Sequence, residues 1–240
     1  MRREVLLLAT FSVILAAQTP PADPKQAVLG AQMSAEVAKS ATLIPDPSVR
    51  AYVSELASKL AGRNLLLTLQ VTDSDHGSTH EPIWLPGGYM FVSADLIRAA
   101  LNESEFAGMM AHALAHEIGD DPRRIAESSR TGIPLYFAGS ADVPFEPAGY
   151  SARARPFELE ADASAARMML AAGYDPIALL DYLSRIEPRD NERVAALTNA
   201  IAGLTPPSAP VVVDSSDFRN VQERLTKTAR ARPTIYSTRE

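Results

Sequence analysis

The chain has no cysteine, one tryptophan and only four histidines among its 240 residues. Without cysteine it can form no disulfide and carry no lipid on a thiol, so an oxidising compartment costs it nothing. Long apolar runs are scarce too. The one candidate, residues 5–17, is interrupted by Thr10 and Ser12 and falls short of the roughly 20 residues that a membrane-spanning helix needs. Lys and Arg are scattered through a chain whose formal net charge is -6, which gives no electrostatic reason to expect a nucleic-acid partner. What remains, 46% hydrophobic and 22% charged, is the composition of a soluble globular protein with one sizeable core.

The start has the order of a secretory signal peptide: Arg2 and Arg3, the short apolar run, then Gln18 and a Pro-rich stretch. The expected organisation is a signal peptide over 1–18, a linker over 19–24, a single domain over 25–230 and a flexible tail over 231–240. An uncleaved N-terminal anchor is the alternative, and the shortness of the run argues against it. The implied address is periplasmic or extracellular, with no stable membrane span after cleavage.

Apolar residues at helical spacing predict a helix over 26–43, closed by Pro45. A second over 46–62 has Asp46 as its cap and Pro47 in its first turn, and the two are expected to pair. Residues 65–72 alternate as a strand, and a polar loop with His76 and His80 follows. Residues 83–92 read as a strand broken by Pro86-Gly87-Gly88, with the proline favouring a sheet edge. Asn102 with Glu105 three residues on marks the start of a helix over 103–118. Residues 131–156, rich in Pro and Gly and without periodicity, read as a long loop bordering a cleft. Helices over 157–172, 176–186 and 191–204, a short strand over 210–213 and a helix over 217–229 complete a helix-dominated α+β arrangement with a small sheet.

The chemistry lies in His112-Ala113-Leu114-Ala115-His116. Histidines four apart on a helix sit about 40° apart around the axis and about 6 Å along it, so both imidazoles can reach one ion. A catalytic zinc needs a third protein ligand and an open position for water. Glu158 and Asp162 share a helix face at i, i+4. Glu158 can ligate while Asp162 holds the far ring nitrogen of a ligating histidine; a solvated acidic face is the alternative that spacing leaves open. Gly119 sits where a metzincin has its turn glycine, but the third ligand would then fall on Pro122, which offers no donor.

Taken in order, Leu85-Pro86-Gly87-Gly88-Tyr89, Asn102-Glu103-Ser104-Glu105, the 112–116 pair, the 158–162 pair and Gly173-Tyr174-Asp175-Pro176 resemble the HtpX and CAAX-prenyl-endopeptidase family of zinc metallopeptidases. The likeness is greatest to its soluble periplasmic BepA-type branch and spans about residues 28 to 205. The resemblance implies a zincin-like fold and one Zn(2+) per chain on His112, His116 and Glu158, with Asp162 behind them. It also implies that the strand Leu85, Pro86, Gly87, Gly88 and Tyr89 lies beside the cleft and aligns an extended or unfolded protein substrate.

Two departures bear on activity. Ala113 stands where the family has the glutamate that acts as general base, a role worth about 10² to 10⁴ in rate. Glu117 is a poor substitute, because it points about 120° from the midpoint of the histidine face. Thr205, before Pro206, stands where relatives often carry a histidine that steadies the tetrahedral intermediate. The expected function is therefore an exported zinc endopeptidase with attenuated activity. The alternative is a zinc-binding pseudopeptidase that serves the cell envelope as a protein-binding or chaperone-like module.

Overall fold

Helix α4, Glu103–Ile118, is buried along almost its whole length, from Glu103 to Ala115, and the other elements are arranged around it. In the computed structural model residues 24–63, 65, 67–73, 81–119, 150–207 and 209–231 are described. The signal peptide, most of the linker, the C-terminal tail from 232, His76, His80, Pro122 and most of the 131–156 stretch lie outside them. Ahead of α4 come α1 (Pro24–Ser40), β1 (Thr42–Leu43), α2 (Pro47–Leu60), β2 (Thr68–Asp73), β3 (Ile83–Leu85), β4 (Tyr89–Ser93) and α3 (Ala94–Ala99). After it come α5 (Tyr150–Ala171), α6 (Ile177–Ile186), α7 (Asn191–Ala202) and α8 (Ser216–Ala231). The architecture is mixed α+β, mostly helical, with one small four-stranded sheet.

The sheet order is β1-β2-β4-β3. β2 and β4 run parallel from Thr68↔Tyr89 to Thr72↔Ser93, while β1 and β3 add antiparallel edges. Pro86 falls in the turn between β3 and β4, where Gly87 (φ 75) and Gly88 (φ 83) adopt the left-handed conformation that glycine accepts without strain. β3 therefore lies at an edge, and it touches α4.

Side chains alternate across a strand, and β4 uses this to serve two layers. Phe91 joins Met33 of α1 and Leu85 in a small cluster, whereas Met90 and Val92 join the large core with α2, α3 and α4. The expected pairing of α1 with α2 is thus corrected: α1 rests on β1, β3 and β4, while α2 packs on β2, α4 and α8. The first helix is also shorter than expected. Pro45 disfavours helix at residue 44, and Thr42 and Leu43 pair with Asp73 and Thr72 instead, Ile44 N donating to Val71 O at 2.8 Å.

The caps explain the other boundaries. Asp46 accepts from Ser48 N at 2.9 Å and Val49 N at 3.3 Å at the start of α2. Asn102 Oδ1 accepts from Glu105 N at 2.9 Å at the start of α4. Helix α3, absent from the sequence reading, is capped by Ser93, whose hydroxyl accepts from Asp95 N.

Two further expectations change. The stretch expected to be loop up to Pro156 is helical from Tyr150, so Pro156 lies inside α5. Arg155 in that turn is clamped by Asp190 and by Glu192, the latter at 3.2 Å, which ties it to the start of α7. The expected strand over 210–213 reduces to a parallel bridge between Tyr174 and Val212, with Val212 N donating to Gly173 O at 2.7 Å.

Candidate metal centre

His112 and His116 project from one face of α4, and α5, the helix packed most extensively against it, brings Glu158 and Asp162 to that face. The ligand atoms of His112, His116 and Glu158 all lie within 4.8 Å of one another. The two Nε2 atoms are 3.1 Å apart, Glu158 Oε2 is 3.4 Å from His112 Nε2, and Glu158 Oε1 is 3.5 Å from His116 Nε2. Tetrahedral ligands at the usual zinc distances stand about 3.3 to 3.4 Å from one another. The two imidazole nitrogens are separated by a distance of that order and each has its own oxygen of Glu158 at a similar distance, so the set can hold a metal ion, and its two imidazoles and one carboxylate suit zinc among other divalent ions.

Asp162 lies one turn beyond Glu158, as its spacing predicts. Its Oδ1 is 2.8 Å from His112 Nδ1, close enough for an ion pair although the ring N–H is not in line for a hydrogen bond. Asp162 and His112 are both almost fully buried. Burial alone pushes the Asp162 carboxyl up, but His112 and Arg193 outweigh it and hold it below the ordinary carboxylate range. Burial likewise pushes His112 down, yet Asp162, Glu158 and Glu81 together hold it well above an ordinary imidazole. Glu158 is lowered: the upward push of burial is outweighed by hydrogen bonds from His112 and His116.

Three residues that the sequence reading did not single out complete the cluster. Arg193 of α7 reaches Asp162 with Nε at 2.6 Å and Nη2 at 3.0 Å, and its Nη2 lies 3.3 Å from Glu158 Oε2 and 3.5 Å from His112 Nε2. Glu187 Oε1 accepts from Arg193 Nη1 at 3.1 Å. Glu81, two residues before β3, places Oε2 3.1 Å from His112 Nε2. No spacing rule links Arg193 to a helix some eighty positions earlier; the only signal was the pattern that placed it on a helix.

Thr205 is exposed beyond the end of α7. The residue before a proline that meets the cluster is Glu187, which accepts from Arg193. Ala113 is 3% exposed and its methyl belongs to the large apolar core. Leu85 is buried at the end of β3, Pro86, Gly87 and Gly88 form the turn, and Tyr89 opens β4.

Comparison with protein-family models and with curated proteins finds no match. Among the described residues no helix is long and apolar enough to cross a membrane.

Proposed function

We propose that this chain is an exported, zincin-like zinc endopeptidase whose activity is attenuated by Ala113. The observation that carries the reading is the cluster of His112, His116 and Glu158, whose ligand atoms lie within 4.8 Å of one another, backed by Asp162. β3, an edge strand among the described residues and in contact with α4, supports it, since a strand edge can align an extended peptide, and so does the motif resemblance to the HtpX and CAAX-prenyl-endopeptidase family. Zinc at such a site lowers the pKa of its water toward about 7 and polarises a carbonyl. The chain's own residues hold the ligand set: Asp162 orients His112, and Arg193 orients Asp162 and faces Glu158.

A second reading, a zinc-binding module without peptidase activity, is favoured by the alanine at 113. Metal analysis and a cleavage assay on the zinc-loaded chain test both. The wild type retains about one zinc per chain after dialysis and His112→Ala/His116→Ala retains none. Equal metal in the two proteins rejects both readings. Zinc without cleavage of casein, even at high enzyme concentration, selects the second.

A further inference from the structure

Glu81 is a carboxylate of the cluster that faces a ligating histidine and to which the metal reading gives no task. Its Oε2 stands 3.1 Å from His112 Nε2, the ring nitrogen that also faces His116 and Glu158. It can serve there as a fourth ligand or as a base beside the open coordination position. Geometry separates the two. A fourth tetrahedral ligand would stand about 3.3 to 3.4 Å from each of the other three, yet the set of ligand atoms within 4.8 Å of one another ends at His112, His116 and Glu158. The Glu81 oxygen therefore lies beside His112 but outside the set that would hold the ion, from where it could accept a proton from a water bound to that ion.

Access points the same way. The Glu81 side chain is 54% exposed against 31% for Glu158, so of the two carboxylates it is the more open to solvent. Its backbone is anchored, since Pro82 is buried and Ile83 begins β3 in register with Phe91 of β4. Position 113, meanwhile, presents a buried methyl to the core.

We propose that Glu81 is the general base of this site, taking from the strand side the role that a carboxylate at position 113 would play from the helix. The proposal rests on the peptidase reading above. Glu81 accepts one proton from the attacking water as the bond from water oxygen to carbonyl carbon forms. The C–N bond then breaks, and the proton passes from the Glu81 carboxyl to the departing amine nitrogen. One water is consumed, one carboxylic acid and one amine are released, and the Glu81 carboxylate is regenerated.

The test compares wild type, Glu81→Gln, Ala113→Glu and the double variant, each as the full chain loaded with zinc or cobalt(II). A base that is not a ligand leaves the metal where it is: Glu81→Gln keeps its zinc affinity within about threefold, where a lost ligand costs far more, and its cobalt visible spectrum is unchanged. Its kcat on casein and on a quenched fluorogenic peptide mixture falls by about 10² or more, with KM within about threefold. Adding Ala113→Glu to Glu81→Gln recovers much of that loss. Loss of metal or an altered cobalt spectrum in Glu81→Gln makes Glu81 a ligand and overturns the proposal, as does an unchanged kcat. A wild type that is inert beside an active Ala113→Glu overturns the role of Glu81 together with the peptidase reading and selects the zinc-binding module, whereas an active wild type whose kcat is unchanged in Glu81→Gln overturns the role of Glu81 alone. Zinc-loaded wild type and Ala113→Glu that both fail to cleave overturn both.

Discussion

Arg193 forks onto both carboxylate oxygens of Asp162, Nε to Oδ2 at 2.6 Å and Nη2 to Oδ1 at 3.0 Å. Both side chains are nearly buried, 9% and 1% exposed. Removing one partner of a buried pair costs about 3 to 5 kcal/mol, and because His112 Nδ1 stays 2.8 Å from Asp162 Oδ1 the loss falls at the lower end of that range. Arg193→Met is therefore expected to lower the unfolding free energy of the metal-free protein by about 3 kcal/mol. Zinc should recover more stability in the variant than in the wild type, because the ion supplies positive charge beside Glu158 that the guanidinium no longer provides. Urea denaturation with and without zinc measures both effects. A cost below about 1 kcal/mol would show that the pair is not what holds α7 to α5.

Asp162→Asn separates orienting His112 from ligating the metal. Replacing a group that supports a ligating histidine typically reduces metal affinity about 10- to 100-fold. The expected order of zinc affinity, read by competition with a chelating dye, is wild type, then Asp162→Asn, then Glu158→Ala, which loses a ligand outright. Asp162→Asn binding as tightly as wild type would mean that the 2.8 Å approach to His112 does not support the ligand.

Much of helix α4 was legible in the sequence because its signals are local. Asn102 and Glu105 mark the start of α4, the i, i+4 histidines share a face by helix geometry, and Asp46 with Pro47 marks α2. Glu158 and Asp162 could be seen as a pair, but their distance from the histidines is a property of how α5 packs on α4. What failed was long-range or outweighed locally. The separation of α1 from α2 depends on β4 feeding two layers, and the helix through Pro156 is secured by Arg155 reaching Asp190 and Glu192. Arg193 and Glu81 enter the site only through tertiary packing, and neither lies in a recognisable spacing.

Asp46 gives a pH prediction away from the site. It caps α2 and accepts from Arg224 at 2.8 Å. The upward push of burial on its carboxyl is outweighed by Arg224 and by the backbone N–H groups of Val49 and Ser48, so its pKa is lowered in the folded protein. A folded value below the unfolded one means that ionised Asp46 contributes stability at neutral pH. That contribution is lost as pH falls below about 4, the ordinary unfolded value, and through the depressed folded one. Asp46→Asn keeps a good capping acceptor and removes the charge. The wild type should exceed it by about 0.5 to 1 kcal/mol at neutral pH, a modest figure because Arg224 is half-exposed. The gap should close in acid. A gap that is constant from neutral pH into strong acid would assign the effect to capping rather than to charge.

Gly30 of α1 tests how firmly the outer layer is seated. A β-carbon at this position would lie 1.7 Å from Pro86 O and 3.0 Å from Tyr89 Cδ2, so the helix backbone rests directly on the turn between β3 and β4. In an exposed, loosely held helix, glycine to alanine is favourable by about 1 kcal/mol through helix propensity. In the packed arrangement the extra methyl has no room, because the nearest atom is a backbone carbonyl and not the end of a flexible side chain. Helix α1 must then withdraw, pulling Met33 and Leu29 from Leu85 and Phe91, at an overpacking cost of about 1 to 3 kcal/mol. The two effects differ in sign, so denaturant unfolding of Gly30→Ala decides between them: a loss of stability fits the packed turn, and a gain would mean that α1 is not seated there. Zinc retention serves as the control. His112 belongs to α4 and Glu158 to α5, on the far side of the sheet from α1, so the destabilised variant is expected to hold its metal as the wild type does under native conditions.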